Sequence, residues 1–150
     1  MESLIFDTHA HYDAEAFAED CSEVLARLPE KGVCDIINNG TDLESSAVSI
    51  KLAETYDYIY AAAGIHPELA AAYRAEDVEK LRPLLAHPKT VALGEIGLDY
   101  HYEDACPREQ QKEIFEAQLR LANELEMPVI IHDREAHGDT MDLLLSLIHI

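Results

Sequence analysis

Basic residues are scarce in this 150-residue sequence, which has 11 Lys and Arg against 30 Asp and Glu and a formal net charge of −19. This balance excludes nucleic-acid binding through a broad basic face, because such binding depends on lysine and arginine side chains that neutralise many phosphates. It is compatible with a local site in which bound cations reverse the sign of the field. A polyanionic substrate is therefore expected only at a site of that kind.

Long apolar runs are absent, and cysteine is rare. No apolar stretch approaches the roughly 20 residues that a membrane span needs. No basic flank precedes the short apolar stretch near the start, so we expect neither a signal peptide nor an anchor. The three cysteines, Cys21, Cys34 and Cys106, are widely spaced and form no Cys-x-x-Cys motif. They favour reduced thiols in a cytoplasmic protein over a disulfide framework or a zinc ribbon.

The sequence contains a regular alternation of short apolar runs and longer segments whose apolar residues recur at helical spacing. The apolar runs predict five strands, at Ser3–Asp7, Val33–Ile37, Tyr58–Ala63, Thr90–Glu95 and Val129–His132. The predicted helices lie at about 18–30, from Thr41 or Asp42 to about Tyr56, at about 75–86, from Pro107 to Pro128, and at about 136–148. This alternation predicts an α/β domain with a parallel sheet covered by helices.

Two histidines follow the first predicted strand. His9 and His11 are two residues apart, so both imidazoles project from one face of an extended chain. Such a pair can ligate a metal, although His-x-His arises easily by chance in a chain with eight histidines. Glu95 ends the fourth predicted strand between Gly94 and Gly97, which allow close backbone approach. It is either a carboxylate that bridges two cations or a solvated acid in a turn.

Polar residues also follow the third and fifth predicted strands. His132 closes the fifth strand and is either a metal ligand or a hydrogen-bonded core histidine. His66 follows the third strand and is either a contact for a substrate phosphate or carbonyl or an ordinary turn residue. Arg134 would be one of few cations near the site, the alternative being a surface ion pair with Asp133 or Glu135. The other histidines are expected to be structural or surface residues: His87, His101, His137 and His149.

These candidates share one expected location, the carboxyl edge of the sheet. Parallel strands all end at the same edge, and α/β enzymes build their sites there. Three neutral imidazoles and a bridging carboxylate suit zinc, manganese or iron rather than calcium, and magnesium would need more oxygen ligands. Two such cations can activate a water molecule and polarise an ester or phosphoryl oxygen. The pattern therefore predicts a hydrolytic metal centre.

Several segments carry a resemblance to a known family. The main ones are Asp7–His11 (DTHAH), Gly94–Tyr100 (GEIGLDY) and Pro128–Arg134 (PVIIHDR). Further segments that match in order and type are Gly64–Pro67, Gln111–Leu125 and Arg134–His137. From about residue 4 to about residue 143, the chain resembles the TatD-type metal-dependent deoxyribonucleases of the amidohydrolase superfamily. The glutamate segment combined with the histidine–arginine strand is quite specific to this family, whereas His-x-His alone would fit the whole superfamily.

The resemblance implies a TIM-type (β/α)8 barrel with two divalent cations (Zn, Mn or Mg) at its top, held by His9, His11, Glu95 and His132. The family pattern also requires a histidine after a sixth strand and an aspartate, the expected general base, after an eighth. Since neither position occurs in this sequence, we expect residues 1–150 to form a single partial domain, truncated to about the first five βα units. Its first and fifth strands would be unpaired on their outer sides, so the isolated chain is expected to be aggregation-prone or only partly folded.

The resemblance also implies a function, a DNA phosphodiesterase of the exonuclease type that uses metal-activated water, with His66 and Arg134 holding the phosphate. The expected partner is DNA or a short phosphodiester substrate, with no membrane and no obligate protein partner. One alternative is an amidohydrolase that cleaves a carboxylic ester or amide with the same metals. Another, of a different class, is an inactive metal-binding fragment.

Overall fold

A computed structural model of the chain describes residues 4–102 and 106–147. In these residues five parallel strands pair in the order of the chain. The strands are β1 (Ile5–Ala10), β2 (Val33–Asn39), β3 (Ile59–Ala63), β4 (Thr90–Asp99) and β5 (Val129–Arg134). Strands that follow one another both in sequence and in space are the arrangement of a (β/α)8-type barrel. The predicted α/β class and parallel sheet are confirmed.

Helical segments follow each strand. The α-helices are α1 (Cys21–Arg27), α2 (Leu43–Thr55), α3 (Arg82–Leu85), α4 (Arg108–Glu124) and α5 (His137–Leu147). Short 3₁₀ segments lie at Glu15–Phe17, Pro29–Lys31, Pro67–Ala72 and Ala75–Leu81. Each described helix is too short or too polar to cross a membrane.

Two predicted helices are broken in the structure. The helix expected at 18–30 ends at Arg27, because Pro29 has no N–H to continue the hydrogen-bond ladder and begins a separate 3₁₀ turn. Gly32 closes that turn in the left-handed conformation at φ 89°. The helix expected at 75–86 is a 3₁₀ segment as far as Leu81, and α3 then begins with a proline in its first turn.

Four strands extend further toward their carboxyl ends than predicted. His9, expected after the first strand, lies inside β1, and β4 continues past Glu95 to Asp99. Pairing with neighbouring strands explains the extension, since Ala10 is in register with Asn38 of β2 and the end of β4 with β5. Local sequence does not reveal such long-range hydrogen bonds. The predicted start of the first strand, Ser3, lies outside the described residues.

Helix α2 begins with a reciprocal cap. The Asp42 carboxylate accepts a hydrogen bond from the Ser45 N–H at 2.7 Å, and Ser45 Oγ accepts one from the Asp42 N–H at 2.9 Å. This pair satisfies N–H groups that the first helical turn leaves without backbone partners. Of the two predicted caps, Thr41 and Asp42, the structure selects Asp42.

Helix α4 packs its buried face against β4. Phe115 is fully buried in one core cluster with Leu93 and Ile96 of that strand. Gln118 lies on the buried face and is also inaccessible to solvent. Its Oε1 accepts from the Ile65 N–H at 2.7 Å, and its Nε2 donates to the Ile65 carbonyl at 3.0 Å. The helix therefore holds the segment after β3 with a side-chain amide as well as with apolar contacts.

The sheet face that points away from α4 is open. Side chains from all five strands line a cleft of about 630 Å³ there, among them Phe6, Ile37, Tyr60, Val91 and Ile130. Phe6 of β1 remains 53% exposed. In a closed barrel this face is packed by inward-pointing side chains from every strand.

Replacing Phe115 with Ala tests the packing of α4 on β4. We expect the free energy of unfolding to fall by about 3–5 kcal/mol, because a fully buried aromatic ring is removed and a cavity remains. Urea-induced unfolding measures the change. Met141→Ala is the control, since Met141 is 51% exposed and its loss should cost no more than about 0.5 kcal/mol. Equal effects of the two substitutions would contradict the described core.

Candidate metal centre

One buried carboxylate lies at the middle of the predicted site. Glu95 Oε2 is 3.1 Å from His9 Nε2 and 3.2 Å from His11 Nε2. Its other oxygen, Oε1, is 2.9 Å from His132 Nδ1 and 3.9 Å from His66 Nε2. The structure therefore brings all five of these sequence-predicted residues together at the carboxyl edge of the sheet.

The cluster divides into two groups with metal-ligand geometry, in each of which the candidate ligand atoms lie within 4.8 Å of one another. One group consists of His9, His11 and Glu95, and the other of His66, Glu95 and His132. Glu95 is common to both and turns a different oxygen toward each. Imidazole nitrogens with a shared carboxylate are a donor set that fits zinc or manganese. The described residues thus form two groups that could each hold a metal ion, with Glu95 common to both.

Strand alternation at the end of β1 presents His9, inside the strand, and His11, just after it. Their rings are 5.2 Å apart and project from one side of the strand. His11 Nδ1 lies 2.9 Å from the carbonyl oxygen of Asn39 in β2, which can only accept a hydrogen bond. The Nδ1–H of His11 therefore donates to Asn39, and Nε2 is the nitrogen that faces Glu95.

His66 has the opposite arrangement of its ring nitrogens. Its Nδ1 accepts a hydrogen bond from the Glu68 N–H at 3.3 Å, so a neutral ring carries its proton on Nε2. That Nε2 lies 3.1 Å from His132 Nδ1. Burial, and after it the neighbouring His132, lower the pKa of His66 to about 4. At neutral pH, His66 is thus an uncharged hydrogen-bond donor toward the cluster.

Asp99 is a site residue that the sequence reasoning missed. It ends β4, is 1% exposed, and its Oδ2 lies 2.8 Å from His132 Nε2. A carboxylate on the far nitrogen of a ligand histidine is the usual way in which such a ring is held. The signal was present, since Asp99 is four residues after Glu95 and alternation in a strand places i and i+4 on one face. The prediction failed because the fourth strand was ended at Glu95.

Opposing effects set the protonation of the central carboxyl. Burial raises the pKa of Glu95, but hydrogen bonds with His11 and His132 and the charges of the other imidazoles outweigh it and hold that pKa well below its usual range. The same hydrogen bonds raise the pKa of His11 and of His132, against the opposing effect of burial. Without a cation, imidazolium charge compensates the buried carboxylate.

Gly97 permits β4 to pass close to the strand that carries His132. A Cβ at this position would lie 1.9 Å from the carbonyl oxygen of His132, and φ is +145°, a conformation that side-chain-bearing residues rarely adopt. Gly94 is similarly close to β5, where its Cβ would lie 2.7 Å from Ile130 Cβ. The predicted close approach at both glycines is confirmed.

Arg134 lies at the rim of the cluster, at the end of β5. Its guanidinium carbon is 5.1 Å from the centre of the Tyr102 ring, and the side chain is exposed to solvent. The acids considered as its partners contact histidines instead, Glu135 pairing with His101 and Asp133 with His137. These two histidines are exposed, whereas His87, which contacts Glu54, is half-buried. His149 lies outside the described residues.

Consecutive parallel βα units with imidazoles around a buried carboxylate at their carboxyl edge have the architecture of metal-dependent enzymes built on α/β barrels. A family model described as "TatD related DNase" matches residues 6–148. The chain belongs to this family, and the resemblance inferred from the motifs is confirmed.

Relatives and solved structures agree with the family. The chain is 43% identical over 141 residues to "Uncharacterized metal-dependent hydrolase YabD" of Bacillus subtilis (strain 168), covering 94% of this chain and 55% of the relative. It is 39% identical over 140 residues to "3'-5' ssDNA/RNA exonuclease TatD" of Shigella flexneri serotype 5b (strain 8401), covering 93% and 54%. The crystal structure of YJJV, a TatD homologue from Escherichia coli K12, superposes with a TM-score of 0.87 at 36% identity, covering 95% and 56%. The chain thus spans about half the length of the relatives that it matches.

Glu95→Gln tests the electrostatics of the cluster in metal-free protein. The substitution removes the charge that raises the pKa of His11 and His132 and keeps the size of the side chain. We expect the pKa of both histidines to fall, so that each loses its proton at a lower pH. NMR titration of the ring C–H resonances measures this change. Glu54→Gln is the matched control, because Glu54 Oε1 lies 3.3 Å from Nε2 of another histidine, His87. This substitution should leave the titrations of His11 and His132 unchanged. Unchanged titrations of these two histidines in Glu95→Gln would contradict the described cluster.

Proposed function

We propose that the full-length protein containing this chain is a metal-dependent phosphodiesterase that acts on DNA, at a strand end or on a short substrate. The observation that carries the proposal is the position of Glu95, 4% exposed, with each carboxylate oxygen turned toward a different group of histidines. The names of relatives as 3'-5' ssDNA/RNA exonucleases support a nucleic-acid substrate. A local cationic centre also reconciles such a substrate with the net charge of −19.

The residues that would hold two divalent cations are His9, His11, Glu95 and His132. Bound at such a centre, cations supply Lewis acidity for the attack of water on phosphorus. Imidazole and carboxylate donors favour zinc or manganese over magnesium. In this assignment Glu95 links the two positions and remains ionised, since hydrogen bonds from the histidines favour its charged form.

His66 and Arg134 are proposed to contact the substrate phosphate. The Nε2–H of neutral His66 faces the cluster and can donate to a phosphoryl oxygen, which suits a substrate contact better than a metal ligand. Arg134 supplies a fixed positive charge at the rim. A cleft of about 450 Å³, lined in part by His11, His66 and Glu95, leaves room for a substrate end beside these groups.

The general base is not assigned to a described residue. Asp99 is a further carboxylate beside the cluster, but its Oδ2 is engaged by His132 and its Oδ1 accepts from the His101 N–H at 2.9 Å. The family's expected aspartate, beyond residue 150, is the proposed base. We further propose the cytoplasm as the compartment, because Cys21, Cys34 and Cys106 are all free thiols.

Replacing His9 and His132 together with Ala tests the metal centre. We expect the full-length protein to bind a divalent cation, the double variant to lose most of it, and hydrolysis of end-labelled single-stranded DNA to fall below about one hundredth, because ligands of both groups are removed. Elemental analysis after dialysis and a nuclease assay measure these effects. His87→Ala is the control, since that histidine contacts Glu54 away from the site.

Two results would count against the proposal. Undiminished DNA hydrolysis in the double variant would overturn the assigned ligands. Cleavage of a carboxylic ester or amide by the wild type, with no cleavage of DNA, would replace the phosphodiesterase with an amidohydrolase that uses the same residues.

Arg134→Ala tests the substrate contact. We expect KM for single-stranded DNA to rise about tenfold while kcat changes less, because the loss of a hydrogen bond to a charged group costs about 1.5 kcal/mol or more. Steady-state kinetics on a short oligonucleotide measures both constants. Arg120→Ala is the matched control, since Arg120 pairs with Glu116 on the exposed side of α4. An unchanged KM in Arg134→Ala would remove this residue from the substrate site.

A further inference from the structure

We infer that Asp99 is a positioning residue that fixes the ring of His132 for metal binding, and that Gln111 of α4 holds Asp99 in place. The inference rests on the proposed metal centre and adds to it the contacts that orient one ligand. It is carried by three consecutive sets of hydrogen bonds, from helix to strand end to imidazole.

The first set of contacts fixes the imidazole. Asp99 Oδ2 lies 2.8 Å from His132 Nε2, so that nitrogen carries the proton and donates it to the carboxylate. The opposite nitrogen, Nδ1, lies 2.9 Å from Glu95 Oε1 and donates to it in the imidazolium form. Asp99 therefore fixes the rotation of the ring and keeps a proton on Nε2, so that Nδ1 is the nitrogen that would release its proton and bind a cation.

The second contact fixes the carboxylate itself. Asp99 is 1% exposed, and its Oδ1 accepts from the N–H of His101 at 2.9 Å. This bond leaves Oδ2 for His132 and prevents rotation of the carboxylate away from the ring. The two oxygens of Asp99 thus have different partners, Oδ1 the His101 N–H and Oδ2 the His132 ring. A fixed anion on the far nitrogen raises the basicity of a ligand histidine.

The third contact anchors the backbone of Asp99. Gln111 Oε1 accepts from the Asp99 N–H at 2.8 Å, and its Nε2 donates to the Asp99 carbonyl and to the Cys106 carbonyl, each at 2.8 Å. The paired registers of β3 with β4 end at Ala63 and Leu93, well before Asp99. The amide of Gln111 thus takes the place of the missing strand at the end of β4. Only 1% of the Gln111 surface is exposed, so water does not compete for these hydrogen bonds.

Asp99→Asn is the principal test, because it keeps the shape of the side chain and removes its charge and its exclusive acceptor character. In metal-free protein above the pKa of His132, where the ring is neutral, we expect its imidazole ¹⁵N shifts to change from those of one tautomer, protonated at Nε2, to those of a mixture. We expect the affinity for Zn²⁺, measured by competition with a chelator, to fall about 10- to 100-fold. Asp142→Asn is the matched control, since Asp142 is an exposed acid of α5, and it should alter neither readout.

Gln111→Ala tests the anchor with the same two readouts. We expect a smaller loss of Zn²⁺ affinity in the same direction, together with the same change in the His132 nitrogen shifts. Gln110→Ala is the control, because that neighbouring glutamine donates to the carbonyls of Ala70 and Tyr73 and does not contact Asp99.

These measurements distinguish a residue that orients His132 from one that only stabilises the fold. Lower thermal stability of Asp99→Asn with an unchanged tautomer and unchanged Zn²⁺ affinity would overturn the inference. The nitrogen shifts are measured without metal, so they test the orientation of His132 even if the wild type binds no Zn²⁺. That last result would overturn the proposed metal centre instead.

Discussion

A carboxylate buried among imidazoles is the interaction on which the rest of this structure depends. Glu95 is 4% exposed, and an ionised carboxylate at such a position is costly unless it is paired and hydrogen-bonded. The compensation comes from β1, from β5 and from the segment after β3, each of which contributes at least one ring. Segments distant in sequence are thus required to meet at one point, which the parallel order of strands β1 to β5 achieves.

Close contacts between strands and with helix α4 fix the positions of those rings. Gly97 allows β4 to approach β5 so closely that a Cβ would contact the carbonyl of His132. Helix α4 adds Gln111 and Gln118, which bind the backbone of Asp99 and of Ile65, each beside a residue of the cluster. A site held by strands and a helix keeps its geometry better than one held by loops.

The sequence patterns predicted the order of the elements and most of the cluster, because both depend on local signals. Strand alternation was sufficient for His9 and His11, and the ends of apolar runs for Glu95 and His132. Asp99 was missed because the extension of β4 depends on pairing with β5, which single-strand patterns do not contain. The 3₁₀ conformation of 75–81 also lay beyond local reasoning, since α-helical and 3₁₀ spacings of apolar residues differ little over two turns.

The two buried glutamines of α4 have a consequence for how this chain can vary. Gln111 and Gln118 are seven residues apart, or about two helical turns, so both amides project from one side of the helix. A single residue inserted or deleted between them would rotate one amide by about 100° around the axis and separate it from its backbone partner. The number of residues between Gln111 and Gln118 is therefore fixed by the positions of their two backbone partners, Asp99 and Ile65. We expect members of the family to tolerate substitutions between the two glutamines far better than insertions or deletions.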